Sequence, residues 1–166
     1  MDTRSLENIS NHRDIKSMSE NTAQVFKLLV VDDNPSDVIL TIEAFKDSAF
    51  EDNISVAVAN DGEQAMAMLL KTQDYIDFEL PNLILLDLNM PGLGGHEVLE
   101  KIKSNEALRR IPVIIMSSSK TNQDVQNSYD LHANSYIVKP TTLAQYSEVV
   151  AKVESFWLDA ASLPNK

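Results

Sequence analysis

From residue 25 onward, short apolar runs alternate with segments of helical period five times over, and few folds can absorb such a pattern. The runs cover 26–31, 54–58, 83–86, 111–116 and 136–138. Three of them are apolar at successive positions: Leu28, Leu29, Val30, Val31; Leu83, Ile84, Leu85, Leu86; and Val113, Ile114, Ile115, Met116. Strands covered on both faces read this way, whereas a half-exposed strand alternates. Only Ile54, Val56 and Val58 alternate cleanly, as expected of an edge strand. Between the runs lie one-sided helices: Val38, Ile42, Phe45; then Ala65, Met66, Leu69, Leu70; then Val98, Leu99, Ile102; and lastly Leu143, Tyr146, Val149, Val150, Val153. Strand–helix alternation implies an α/β fold, a doubly wound five-stranded parallel sheet with helices on both faces.

The 166 residues suit one domain with a sizeable core. With no cysteine, disulfides, thiol nucleophiles and thiolate metal sites are excluded. A formal charge of −11 argues against nucleic acid and against a polybasic membrane surface. No apolar run approaches the ~20 residues of a membrane helix, and the N-terminus lacks a signal-peptide core. The expected location is cytoplasmic. Residues 1–24 carry four acids, three bases and few apolar side chains, so they read as an extension outside the core. The expected division is an extension over 1–24, a domain over 25–158 and a tail over 159–166.

In parallel sheets of this kind ligands bind outside the carboxyl ends of the strands, and the residues there are specific. The first strand ends in Asp32-Asp33, the third in Asp87, the fourth in Ser117-Ser118-Ser119 and the fifth in Lys139-Pro140. Singly, each has an ordinary reading as a helix cap or turn residue. Jointly, three carboxylates, a hydroxyl and an ammonium converge on one rim. Crowded carboxylates repel, and an oxygen-only set without His or Cys selects a hard divalent ion such as Mg²⁺. A divalent ion, a lysine and a hydroxyl together receive a phosphoryl group, and Asp87 is placed to be its nucleophile as an aspartyl phosphate.

Val30-Val31-Asp32-Asp33-Asn34, Leu85-Leu86-Asp87-Leu88-Asn89-Met90-Pro91 and Tyr136-Ile137-Val138-Lys139-Pro140 resemble the receiver domain of two-component response regulators over residues 26–158. The resemblance implies a flavodoxin-like fold. It makes Asp87 the phosphoacceptor, and Asp32 and Asp33 the acidic pair for Mg²⁺, with Asp33 the direct ligand. It further implies that Asn89 offers a backbone carbonyl to the metal, that Ser117 and Tyr136 form the switch pair, and that Lys139 is the family lysine. In that switch, the Ser117 hydroxyl meets a phosphoryl oxygen and the Tyr136 ring turns inward. Gly94-Gly95 departs from the usual pattern and suggests a looser loop after Asp87. The acidic segment 71–82 and the aromatic tail around Phe156 and Trp157 are similar to stand-alone response regulators of bacterial phytochromes. The partner implied is a histidine kinase, a phytochrome in the narrower resemblance, and no output domain is expected.

The last helix carries more apolar surface than one stripe needs: Val149, Val150, Val153, Phe156, Trp157 and Leu158. Such excess marks an interface, and a homodimer through the fourth helix, fifth strand and fifth helix is expected. His12, His96 and His132 stand apart from the strand ends, so no histidine metal site is expected. Met66, Met68 and Met116 read as core filler. Two other readings stay open: an Asp-nucleophile phosphohydrolase, which fits poorly because Asn34 stands where an acid/base Asp belongs, and a receiver-like scaffold that is never phosphorylated.

Overall fold

A computed structural model describes residues 25–164; the expected extension over 1–24 lies outside the described residues. Five strands, β1 (Phe26–Val31), β2 (Ile54–Ala59), β3 (Leu83–Leu86), β4 (Val113–Ser117) and β5 (Ser135–Val138), form one parallel sheet in the order β2-β1-β3-β4-β5. They alternate with α1 (Pro35–Lys46), α2 (Gly62–Leu69), α3 (Gly95–Ser104), α4 (Asn122–Asp130) and α5 (Leu143–Glu154). The order reverses between β1 and β3, which makes their carboxyl ends the switch point where such sheets bind ligands.

The all-apolar runs are explained by two cores. Leu29, Val31, Ile84, Leu86, Val113 and Ile115 face one side, against Ala65, Met66 and Leu69 of α2 and Val98, Leu99 and Ile102 of α3. Their neighbours Leu28, Val30, Leu83, Leu85, Ile114 and Met116 face the other, against Ala44 and Phe45 of α1 and Tyr146, Val150 and Val153 of α5. Successive side chains on a strand point to opposite faces, so a sheet covered twice needs apolar residues at every position. β2 is the edge strand its alternation suggested, and β5 forms the other edge.

Four of the five helix starts are fixed by a side-chain cap. Asn34, not Asp32 or Asp33, caps α1, accepting from the Ser36 amide at 2.9 Å with Pro35 opening the helix. Asp61, Thr121 and Thr142 cap α2, α4 and α5 through their own side chains. Beyond α5 the chain makes one π-type turn over Ser155–Ala160. There Trp157 packs against the α1–α5 core while Phe156 is 56% exposed, its ring 5.0 Å from Trp157 in an edge-on pair. No helix among the described residues is long and apolar enough to cross a membrane.

Candidate functional site

The sheet ladder continues one rung past each strand that carries the site. Asp32 donates its amide to the Ala59 carbonyl (3.1 Å), Asp87 to Val31 (2.9 Å) and Lys139 to Ser117 (2.8 Å). The side chains expected to converge are therefore held side by side by backbone bonds. Asp32 and Asp87 are 4% and 5% exposed, while Asp33 is exposed. One carboxylate oxygen from each of these three lies within 4.8 Å of the others, the one such acidic or imidazole group among the described residues.

Lys139 reaches into this cluster from β5, its Nζ 2.8 Å from Asp32 Oδ2 and 3.2 Å from Asp87 Oδ2. A third carboxylate, absent from the sequence reading, also meets it: Asp37 Oδ2 in the first turn of α1, at 2.8 Å. The sequence shows Asp37 only as an acid in the first turn after the Asn34-Pro35 helix start, with nothing in it that points to Lys139. Three carboxylates thus surround one ammonium, and Asp33 stands beside two of them. Burial raises Asp32 and Asp87 above the ordinary carboxylate range, and Lys139 only partly offsets it. Burial would depress Lys139, but hydrogen bonds and charge from Asp32, Asp37 and Asp87 overcome it and hold the ammonium above its usual range. The two directions have different causes: burial disfavours the carboxylate charges, whereas the carboxylates themselves hold the proton on the lysine.

Such a donor set fits a hard divalent cation, since all three grouped atoms are oxygens and their net charge is uncompensated. Asp32 Oδ1 accepts from the Asn34 amide at 2.9 Å and Asp87 Oδ1 from the Asn89 amide at 3.4 Å, so each carboxylate is oriented from its own loop. Ser117 is fully buried, its Oγ 3.4 Å from Asn89 Nδ2 and 3.2 Å from the Ser119 amide. Tyr136 is half-buried and donates its hydroxyl to the Ser119 carbonyl at 3.0 Å. The segment between them is further held by Asp124, which accepts from the Ser119 and Thr121 hydroxyls and lies below the usual carboxylate range because of them.

The loop after Asp87, expected to be loose, is tight. The Gly95 amide donates to Leu88 (3.0 Å), the Gly94 amide to the Glu97 carboxylate (3.0 Å) and the Leu93 amide to Glu63 (2.9 Å). A Cβ on Gly95 would stand 2.1 Å from the Asp87 carbonyl oxygen, so glycine is there for close approach rather than freedom. His96 lies away from the carboxylates, its Nε2 3.0 Å from Ser128 Oγ, which ties α3 to α4.

Comparison with known proteins gives a consistent result. A family model described as the response regulator receiver domain matches residues 28–151. The response regulator Rcp1 of Synechocystis sp. is 40% identical over 147 residues, covering 89% of this chain and 99% of that protein. The crystal structure of the phosphorylated cyanobacterial phytochrome response regulator RcpA superposes with a TM-score of 0.80 at 42% identity, over 85% of this chain and 99% of that one. The Mn²⁺-bound form of Rcp1 superposes with a TM-score of 0.78 at 40% identity, over 84% and 99% of the two chains.

Proposed function

This chain belongs to the response regulator receiver domain family, and from that premise we propose that it takes a phosphoryl group from a histidine kinase onto Asp87. The observation that carries the reading is the buried Asp87 carboxylate at the switch point of the sheet, flanked by Asp32, Asp33 and Lys139. A carboxylate oxygen of Asp87 attacks phosphorus, the P–N bond of a phosphohistidine breaks, and the imidazole leaves with the electron pair. Water later cleaves the acyl phosphate, returning the carboxylate and inorganic phosphate. Lys139 balances the charge of about −1.5 to −2 that the phosphoryl group brings. Asp32, Asp33 and Asp87, with the Asn89 carbonyl, would hold Mg²⁺, which supplies charge neutralisation to the phosphoryl oxygens when bound. The protein relays a signal rather than turning over a substrate.

The readout proposed is the Ser117–Tyr136 pair. A phosphoryl oxygen on Asp87 accepts from the Ser117 hydroxyl, the segment that Tyr136 holds through Ser119 shifts, and the outer faces of α4, β5 and α5 change. Tyr129, Val138, Leu143 and Phe156 are the exposed large apolar side chains on these elements and the turn that follows, which supports a homodimer through them. Likeness to a phytochrome response regulator supports a phytochrome as the kinase. Asn34 spends its side chain on the α1 cap, which leaves a phosphohydrolase without its second acid.

Labelling with phosphoramidate or acetyl phosphate in Mg²⁺ tests the assignment. Wild type is expected to label, and folded Asp87→Asn to give no label. A persistent label on folded Asp87→Asn removes Asp87 as the acceptor.

A further inference from the structure

Asp37 has no task in the scheme above, yet it is as close to Lys139 as any group in the site. The lysine ammonium has three donors, and they meet Asp32 and Asp37 at 2.8 Å and Asp87 at 3.2 Å. Of the two nearer partners, Asp32 belongs to the grouped oxygens and Asp37 does not. The lysine side chain is 8% exposed and that of Asp37 24%, so the pair is poorly screened by solvent. The backbone of Asp37 is fixed as well, because the Thr41 hydroxyl, itself buried, donates to its carbonyl at 2.9 Å.

We propose that Asp37 is a positioning residue for Lys139: it holds the ammonium from the α1 side, so that the lysine, now bonded to Asp32 and Asp87 as well, can release their oxygens to a divalent cation without leaving the rim. The inference rests on the reading of those oxygens as a cation site. An ammonium and a divalent ion compete for the same carboxylates. A lysine free to settle between Asp32 and Asp87 would hinder the ion, whereas a lysine tethered from the side yields Asp32 without leaving the rim. Asp37 stays with the lysine in both situations, since it is outside the oxygen group. Once Asp87 carries a phosphoryl group, the same tether keeps the ammonium within reach of it.

An acid in the first turn of a helix also favours the helix dipole, and its charge alone attracts a cation. Both effects act whether or not Lys139 is present, so a double-mutant cycle isolates the positioning role. Mg²⁺ affinity would be measured by calorimetry at fixed ionic strength for wild type, Asp37→Asn, Lys139→Met and the double variant, with Asp37→Ser as a second replacement. Lys139→Met is expected to tighten Mg²⁺ by removing the competing charge. Asp37→Asn is expected to weaken Mg²⁺ about 3- to 10-fold more in the presence of Lys139 than in the Lys139→Met background. Equal losses in the two backgrounds, or no loss in either, overturn the role of Asp37 and leave the cation site standing. If wild type takes up neither Mg²⁺ nor a phosphoryl label, the site reading falls and this inference with it.

Discussion

Tyr146 illustrates how far the charge of the site reaches at the level of single residues. It is fully buried on α5, and its hydroxyl has no hydrogen-bond partner among the described residues. Burial first, and then the charge of Asp37, push the phenol up to about 12, against ~10 in an unfolded chain. The native state therefore keeps this proton longer than the unfolded one. The associated stability is complete below pH ~10 and is lost as pH rises toward 12. Tyr146→Phe should be neutral to about 1 kcal/mol stabilising at pH 7, since it removes a buried hydroxyl that bonds to nothing. It should also flatten the fall in stability between pH 10 and 12. Urea unfolding at both ends of that range checks this, and a clear loss at pH 7 would mean that the hydroxyl is satisfied. Among site residues, Asp32, Asp33, Asp87, Ser117 and Lys139 were legible because strand ends can be counted from apolar runs. Asp37 was not, because its approach to Lys139 depends on the direction in which α1 leaves the sheet, which no local pattern encodes. The Tyr136–Ser119 bond was hidden for the same reason.

At the level of elements, periodicity located β1 and β3 to the residue and placed β4 two residues early. Ile111 is buried like a strand residue, but its amide closes a turn on Leu108, so the ladder begins after Pro112. α4 gave no apolar stripe to read, since Ser128 is its one buried residue; its start is written instead in the Thr121–Asp124 cap. The loop joining β3 to α3 is tight where adjacent glycines suggest slack, because its amides are bonded and Gly95 is packed against backbone. Gly95→Ala would press a methyl against the Asp87 carbonyl oxygen and to 2.6 Å from the Leu88 Cα, neither of which can yield. It should cost at least ~2 kcal/mol and slow phosphoryl uptake by displacing Asp87. Gly94→Ala is the control: its nearest neighbour would be Glu97 Oε2 at 3.6 Å, and a cost below ~1 kcal/mol is expected. Thermal melts with labelling rates for both variants decide the point, and equal behaviour of the two would refute the packing argument.

At the scale of the whole molecule, association competes with a net charge of −11. Two such chains repel, so dimerisation should strengthen with salt as that repulsion is screened. Of Phe156 and Trp157, either of which was expected to contribute to an interface, Trp157 packs on the α1–α5 core and Phe156 is the exposed aromatic. Phe156→Asp should weaken self-association about tenfold or more, and beryllofluoride should strengthen it in wild type. Sedimentation that finds only monomer with and without beryllofluoride would end the dimer reading. The continuation of the ladder through Asp32, Asp87 and Lys139 has a consequence in time rather than space. Bonds that continue a sheet ladder open with their strands, whereas exposed caps open at little cost. The charged groups of the rim thus share the lifetime of the sheet, while the hydroxyl-capped segment 118–121 relaxes on a clock of its own.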